Sequence, residues 1–267
     1  MRLASGMFRK LLFEPAIAEV DFDSIDRIII HREILARKRM IREVMFEIYS
    51  KQDELDRQYF GAVTGRRVEI GAGSSLMKTL FPDVESTDIL PCPGLDRVLD
   101  AMNMPYDDRS VRAVFGINSF HHFNDPYKFL RELVRVCRPG GGAVLVEPYF
   151  GPVGALICKH LYLFEGFDKK AAAVRSPSGP ISGANQALSY IVFVRDRPKL
   201  TEIVPELEVV HMEPLTNYIR YFASGGITFR QLLPNATIPL LKLAESALSF
   251  LRSSLAIHYV LVVRKKA

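Results

Sequence analysis

Short apolar strands alternate with helices between residues 66 and 147, and this alternation constrains the fold more than any other feature of the sequence. Nearly all-apolar strands in such an order predict a parallel sheet covered by helices on both faces. In sheets of this kind, ligands bind at the carboxyl ends of the strands, so the residues that follow each strand are candidate site residues. The predicted strands are Arg67–Ile70, Val84–Asp88, Arg97–Leu99, Val111–Ile117 and Ala143–Val146.

The flanking regions complete the predicted architecture. Two further strands, 207–212 and 255–263, give a doubly wound, mostly parallel seven-stranded α/β sheet. Residues 23–58 have helical periodicity, and we expect a helical N-terminal extension over 1–62 before a main domain over 63–267. Within that domain, Pro- and Gly-rich residues 150–200 are too long for a simple connection and predict an inserted cap.

A second amphipathic helix is predicted over Pro239–Arg252. Its apolar residues recur at helical spacing, which favours a face packed on the core of the sheet. Contact with a membrane surface is the alternative for the same face.

The charge is unevenly distributed along the 267 residues, whose formal net charge is +5. Beyond Glu213 there are seven basic residues and a single acidic one, Glu245. A nucleic-acid-binding protein usually carries a stronger basic stripe, so we expect no nucleic-acid partner. A phosphorylated or membrane-borne partner of the basic, apolar C-terminal face stays open, and so does the oligomeric state.

Cysteine usage and hydropathy indicate the compartment. Cys92, Cys137 and Cys158 are odd in number and have no CxxC spacing, which excludes a disulfide framework and a cysteine-rich zinc site. We expect no signal peptide at the basic and apolar start of the chain, and no apolar run is long enough to span a membrane. The expectation is a cytoplasmic protein, with peripheral contact at the inner membrane face as a possible addition.

A glycine turn follows the first strand of the sheet. Such a turn lets the backbone approach a ligand closely. A dinucleotide fingerprint needs a third glycine where this chain has Leu76, which disfavours a nicotinamide-dependent oxidoreductase. The turn reads Val68-Glu69-Ile70-Gly71-Ala72-Gly73-Ser74-Ser75.

Four motifs in order over residues 67–147 resemble those of class I S-adenosylmethionine-dependent methyltransferases. They follow the glycine turn preceded by Glu69 and are Asp88 at the end of the second strand, the segment from Asp100 to Asp108, the turn at 116–123 and the turn at 136–141. The closest likeness is to the small-molecule branch with the ubiquinone and menaquinone methyltransferases, and the flanks resemble a less studied bacterial subgroup. Ser75 departs from the pattern, because many members have glycine there.

The resemblance implies S-adenosylmethionine as the cofactor, bound by residues that follow the strands. Asp88 would bind the ribose hydroxyls, since a carboxylate offers two acceptor oxygens to a vicinal diol. The implied cofactor-binding residues are Glu69, Gly71, Ala72, Gly73, Ser74, Asp88, Ile89, Asp100, Ala101, Met102, Asn118 and Ser119.

The implied reaction is an SN2 methyl transfer, in which the protein mainly aligns the acceptor and excludes water. His121, His122 and Glu147 follow the fourth and fifth strands and are the candidate catalytic residues, because a histidine is a suitable base near neutral pH. Adjacent side chains on a helix diverge by about 100°, so we predict no metal site at the histidine pair.

The acceptor is the least determined part of the prediction. Its candidate binding residues are Tyr149, His160, Glu165 and Asp168, in or beside the inserted segment. A small molecule, a sugar-linked acceptor and a lipid-linked acceptor stay open. A non-catalytic cofactor-binding or scaffold protein with the same fold is also left open, because methyl transfer needs no obligatory nucleophile in the protein.

Overall fold

The computed structural model describes the chain apart from residues 1–12, 18–19, 22, 162–164 and 177–183. The start of the chain, on which the signal-peptide expectation rests, therefore lies outside the described residues. Parts of the predicted N-terminal extension and of the inserted cap lie outside them as well.

The sheet has seven strands in the order β3-β2-β1-β4-β5-β7-β6. All neighbouring strands are parallel except at β7, which runs antiparallel to both β5 and β6. The predicted seven-stranded, mostly parallel α/β sheet is confirmed. The strands are β1 (Arg66–Ile70), β2 (Val84–Asp88), β3 (Arg97–Val98), β4 (Val111–Ile117), β5 (Cys137–Pro148), β6 (Leu207–Pro214) and β7 (His258–Lys265).

Helices cover both faces of the sheet. The short helix α6 continues into a π-helical turn over Ile191–Arg195. The α-helices are α1 (Ile25–Arg37), α2 (Arg39–Phe60), α3 (Met77–Leu80), α4 (Pro126–Val136), α5 (Pro152–His160), α6 (Leu188–Tyr190), α7 (Arg197–Ile203), α8 (Tyr218–Ser224), α9 (Ile238–Ala247) and α10 (Arg252–Leu255).

The single helix predicted over residues 23–58 is divided in two at Lys38. This residue has extended backbone angles (φ −78°, ψ 98°), although its N–H still donates to the Ile34 carbonyl. Its side chain is buried, and the ammonium lies 2.9 Å from a carboxylate oxygen of Glu14. A buried cation needs such a partner, which is a tertiary requirement that helical periodicity does not reveal.

Helix α2 is attached to the sheet by polar groups as well as by apolar packing. The Gln52 amide is fully buried and donates to the carbonyls of Gly116 (3.2 Å) and Val144 (2.9 Å), on β4 and β5. Asp56 is fully buried and pairs with Arg67 of β1 and Arg112 of β4. The N-terminal helices therefore share the core of the sheet rather than lying outside it.

The apolar face predicted for the C-terminal helix packs on the core only in part. The α-helix ends at Ala247; Leu241 packs against the buried residues Met40, Ala223 and Ile238, whereas Leu240 and Leu243 are each 67% exposed. The buried polar residue of α9 is Glu245, which accepts from the backbone and guanidinium of Arg220 on α8. This ion pair and Leu241 anchor the helix, and Leu240 and Leu243 lie on its exposed side.

The described part of the chain contains no helix that combines the length and hydropathy needed to cross a membrane. Cys92, Cys137 and Cys158 are all buried free thiols, as the absence of a disulfide pattern predicts.

Candidate functional site

A cavity of about 450 Å³ opens at the carboxyl ends of β1, β2 and β4. Its volume lies within the range of about 300–1,000 Å³ that small-molecule sites occupy. Most of the predicted cofactor residues meet here, as expected for parallel strands that end at one edge of a sheet. The predicted residues that line it are Glu69, Gly71, Gly73, Ser74, Asp88, Ile89, Asp100, Ala101, Met102, Asn118, Ser119, His121, His122 and Glu165.

The glycine turn after β1 leaves no room for side chains. Gly71 has a left-handed φ of +64°, and a Cβ there would lie 2.8 Å from the Cβ of Ser119. A Cβ on Gly73 would lie 2.6 Å from Ile28 Cγ2 and 3.1 Å from Asp88 Oδ2. Both positions therefore need glycine, the first for its backbone conformation and the second for the close approach of its neighbours.

Asp88 ends β2 and holds the loops on either side of the cavity. Its Oδ2 accepts from the Gly73 N–H at 2.9 Å, and its Oδ1 accepts from the Leu90 N–H at 2.9 Å. Burial raises the pKa of Asp88 although these bonds favour the charged form. Each carboxylate oxygen keeps a further lone pair, so the group can still accept from a diol.

Glu69 is buried at the floor of the cavity, and its Oε2 has no hydrogen-bond partner among the described residues. Burial is the main reason why the pKa of Glu69 is raised to about 7, and the nearby Asp88 raises it further. A hydrogen bond from the Ser75 hydroxyl lowers this pKa in part, but a buried carboxyl oxygen without a donor is costly unless a ligand supplies a donor or a positive charge.

Two further loops close the cofactor side of the cavity. Asp100 Oδ1 accepts from the Met102 N–H at 2.8 Å, which orders the loop after β3. Asn118 follows β4 with a left-handed φ of +52°, and its buried Oδ1 has no hydrogen-bond partner among the described residues. Asparagine tolerates this conformation better than most residues.

These groups fit S-adenosylmethionine. Asp88 offers acceptors for a ribose diol, and the orphaned oxygens of Glu69 and Asn118 suit the donors of a cationic amino acid moiety. The two glycines provide the closely packed turn beside which such a ligand would lie.

A cluster of histidines and glutamates lies next to this region. Glu147, at the end of β5, is fully buried and its Oε1 accepts from the N–H groups of Ser119 (3.0 Å) and Phe120 (2.9 Å). Its Oε2 lies 2.7 Å from His121 Nδ1. The other ring nitrogen of His121 lies 3.3 Å from Glu165 Oε2, so one imidazole is held between two carboxylates.

The surroundings of His121 favour positive charge. Burial by itself would lower the pKa of this ring, but Glu147 and Glu165 outweigh burial and raise the pKa to about 10. His122 also faces Glu165, with 4.0 Å between its Nε2 and Glu165 Oε1.

Some predicted site residues do not line the cavity. Ala72 is buried within the glycine turn, where its N–H donates to the Thr87 carbonyl. Glu147 lies beneath the cavity and reaches it through His121. Tyr149 packs against Phe150 and Tyr259, and His160 and Asp168 are exposed. Of the four predicted acceptor-binding residues, only Glu165 lines the cavity.

Helix α1 brings two cavity residues that the sequence analysis missed, Arg27 and His31. Burial, assisted by the charge of Arg27, lowers the pKa of His31 to about 4, and His31 Nε2 has no hydrogen-bond partner among the described residues. The two residues are four apart and so share one helix face with apolar Ile28 and Leu35. The sequence signal that could have identified Arg27 and His31 as cavity residues is their position within an otherwise apolar helix face.

Comparison with known proteins agrees with this geometry. The family described as "Methyltransferase domain" matches residues 70–145, which include the glycine turn, Asp88 and the histidine pair. Residues 70–145 therefore match a methyltransferase domain. The part of the sheet from β2 to β5 and most of the cavity loops belong to this domain.

Two relatives resemble parts of the chain. The phthiotriol/phenolphthiotriol dimycocerosates methyltransferase of Mycobacterium tuberculosis is 39% identical over 84 residues, which are 27% of this chain and 31% of that protein. The demethylmenaquinone methyltransferase of Renibacterium salmoninarum is 31% identical over 139 residues, which are 45% of this chain and 56% of that protein. The chain thus spans little more than half of these relatives' length at most.

Among solved structures, geranyl diphosphate C-methyltransferase from Streptomyces coelicolor is similar with 17% identity and a TM-score of 0.45. The similarity covers 82% of this chain and 79% of that one. Phosphoethanolamine N-methyltransferase 2 from Haemonchus contortus has 10% identity and a TM-score of 0.47, over 94% of this chain and 59% of that one.

Proposed function

We propose that this protein transfers a methyl group from S-adenosylmethionine to a small-molecule acceptor with an apolar, lipid-linked part. The observation that carries the proposal is the convergence of Glu69, the glycine turn, Asp88 and the Asp100 loop on one cavity. Three separate strand ends contribute complementary groups to it, which a purely structural turn would not need.

Each residue has a role that follows from its chemistry. Asp88 holds the ribose diol, Glu69 attracts the cationic amino acid moiety, and Gly71 and Gly73 allow close approach of the backbone. The bound cofactor supplies an activated sulfonium methyl group. The protein then has to align the acceptor with that group and exclude water, which a largely enclosed cavity under α1 supports.

The acceptor side of the proposed site combines polar and apolar walls. His122 and Glu165 face the cavity, and Glu147 acts as a positioning residue that orients His121. We propose that His121, His122 and Glu165 act on the acceptor's reacting group. The remaining wall is mainly apolar and suits an isoprenoid or acyl group better than a sugar; it includes Leu35, Ile41, Met45, Phe123, Ile227 and Ile257.

Two other functions have weaker support. Leu76 stands where a dinucleotide-binding turn needs its third glycine, which argues against nicotinamide chemistry. A scaffold without catalysis has no need of the polar cluster beside the cofactor groups, since burying such a cluster costs free energy.

The deciding experiment measures binding and transfer separately. Isothermal titration calorimetry should detect binding of S-adenosylhomocysteine at one site and no binding of NAD. With the radiolabelled methyl donor and a bacterial lipid extract, label should enter the organic phase. Absence of S-adenosylhomocysteine binding would contradict the proposal, whereas binding with no transfer to any extract fraction would favour the scaffold.

We further propose that the protein meets a lipid-linked acceptor at a membrane surface, through an apolar stripe consisting of Leu240, Leu243, Phe250 and Leu251. All four side chains are exposed. Leu240 and Leu243 are three residues apart on α9, and Phe250 and Leu251 lie in the 3₁₀ turn that follows it. Exposed apolar residues with basic residues beside them are typical of segments that lie in a membrane interface. Exposed bases in the same segment are Arg230, Lys242 and Arg252.

Helix α8 connects this stripe with the cavity. Tyr221 of α8 lines the cavity, while the neighbouring Phe222 is exposed. Two exposed leucines, Leu232 and Leu233, lie next to α8, because their N–H groups both bond to the carbonyl of Ala223. The adjacency of cavity-lining Tyr221 and exposed Phe222 supports delivery of an apolar acceptor from a membrane into the cavity.

Vesicle co-sedimentation tests the membrane proposal. Wild-type protein should sediment with anionic phospholipid vesicles more than with neutral ones, because anionic lipid attracts the basic residues. The double variant L240Q/L243Q should bind at least about tenfold more weakly, since each leucine loses its transfer free energy. The control is L80Q on α3, also an exposed leucine. Equal sedimentation of all three proteins would exclude the stripe as the contact.

A further inference from the structure

We propose that His121, His122 and Glu165 form a binding site for a divalent transition-metal ion, of which zinc is the best match. The three side chains lie at the acceptor end of the cavity, where no metal was expected from the sequence. One potential ligand atom from each residue lies within 4.8 Å of the others.

The distances are close to those of a coordination sphere. Zinc binds imidazole nitrogen and carboxylate oxygen at about 2.0–2.2 Å, so neighbouring ligand atoms in a tetrahedral site lie about 3.3 Å apart. His121 Nε2 lies 3.3 Å from Glu165 Oε2, and His122 Nε2 lies 4.0 Å from Glu165 Oε1. A small shift of His122 toward Glu165 would complete the site.

The two histidines are adjacent in sequence, yet their rings converge. Their centroids are 4.3 Å apart, and the ring planes differ by only 35°. They belong to a 3₁₀ turn over Phe120–His122 rather than to a regular α-helix. Successive residues of a 3₁₀ turn diverge by about 120°, so the rings converge through the orientation of their side chains and not through the backbone spacing.

Glu147 completes an arrangement that metal sites use repeatedly. A histidine that binds a metal through one ring nitrogen commonly bonds to a carboxylate through the other, which fixes the orientation of the ring. In this structure Glu147 Oε2 lies 2.7 Å from His121 Nδ1, and Nε2, 3.3 Å from Glu165 Oε2, is the nitrogen that would exchange its proton for the metal ion. Glu147 is itself fixed by the backbone N–H groups of Ser119 and Phe120.

The donor set indicates the kind of ion and the kind of site. Two imidazoles and one carboxylate match catalytic zinc sites, which keep a further position open for water or substrate. The carboxylates of Glu147 and Glu165 also provide the negative charge that offsets a divalent cation. Since all three ligands line the cavity, the open position would face the acceptor, and an ion there would polarise an acceptor hydroxyl or enol oxygen. Only this last role rests on the proposed methyl transfer.

Metal binding is tested on full-length protein that has been stripped with a chelator, without cofactor. Calorimetry should show one equivalent of Zn²⁺ bound, and Co²⁺ should give the d–d absorption of a protein-bound ion. The variants E165Q and H122Q should each lose at least about tenfold in Zn²⁺ affinity. The matched control is H160Q, because His160 is an exposed histidine on the nearby helix α5.

Titration of the same variants with S-adenosylhomocysteine separates the two proposals. Near-normal binding would show that E165Q and H122Q are folded, so that lost Zn²⁺ affinity reports on the ligands. If wild-type protein binds no Zn²⁺, or if E165Q, H122Q and H160Q bind it equally, the metal site is excluded while the cofactor proposal stands. If the wild-type protein binds Zn²⁺ but not S-adenosylhomocysteine, the metal site is supported and the cofactor proposal is contradicted.

Discussion

Replacing Asp88 by alanine should weaken the binding of S-adenosylhomocysteine by about 100-fold. The variant loses both acceptor oxygens for the ribose diol, and hydrogen bonds to charged groups each contribute about 1.5–3 kcal/mol. Two such bonds at the lower end of this range total about 3 kcal/mol, which corresponds to a factor of slightly more than 100 in affinity. The bonds from Gly73 and Leu90 are lost as well, so the turn beside the cofactor loosens. Calorimetric titration measures the effect.

Two further variants make this result specific. Asp88→Asn keeps one oxygen acceptor and nearly the same shape, so its affinity should fall by only about tenfold. Asp107→Ala removes an exposed carboxylate from the loop before β4 and should bind like the wild type. Wild-type affinity in Asp88→Ala would contradict the assignment of Asp88 to the cofactor.

The second large effect concerns stability. Asp56→Ala should lower the free energy of unfolding by about 3–5 kcal/mol, as measured by chemical denaturation. Asp56 is fully buried on α2 and pairs with Arg67 of β1, at 3.0 Å from Nε, and with Arg112 of β4. Its loss removes the carboxylate that pairs with Arg112, whereas Arg67 keeps ion pairs with Asp53 and Asp83. The effect is large because Asp56 is fully buried and the Arg112 side chain is only 20% exposed, so the unpaired charge is poorly solvated.

The surface pair of Asp108 and Arg135 provides the control. The carboxylate of Asp108 is 73% exposed, and pairs of this kind contribute about 1 kcal/mol or less, so Asp108→Ala should barely change the unfolding midpoint.

The comparison of Asp56→Ala with Asp108→Ala also tests the predicted boundary between the N-terminal helices and the main domain near residue 62. If the N-terminal helices were an independent extension, Asp56→Ala would leave the unfolding of the sheet unchanged.

Buried strands were the most predictable elements. The ranges Val84–Asp88 and Val111–Ile117 agree with the structure residue for residue, because turn residues lie on both sides of each range. For β5, the prediction of Ala143–Val146 captured only the middle. The structure extends it back to Cys137 across the glycines, with an irregular register beside β4. Glycines there indicate a turn locally, but pairing with β4 overrides that preference.

The acceptor side was much less predictable. Tyr149, His160 and Asp168 are polar or aromatic residues in the expected segment, yet none lines the cavity. Arg27 and His31 do line it, although they belong to a helix far away in sequence. Which side chains surround a cavity depends on how distant elements pack, and periodicity along one segment contains no such information.

The sequence by itself determined the sheet and the cofactor end of the site. A strand followed by a glycine turn specifies local backbone conformation, and parallel strands bring successive turns to one edge. Tertiary structure alone decided that Lys38 interrupts the first helix, that Arg220 anchors α9 by Glu245, and that His121 lies between two glutamates. These features share one physical cause. A buried charge must find a partner, and in each case the partner comes from another part of the chain.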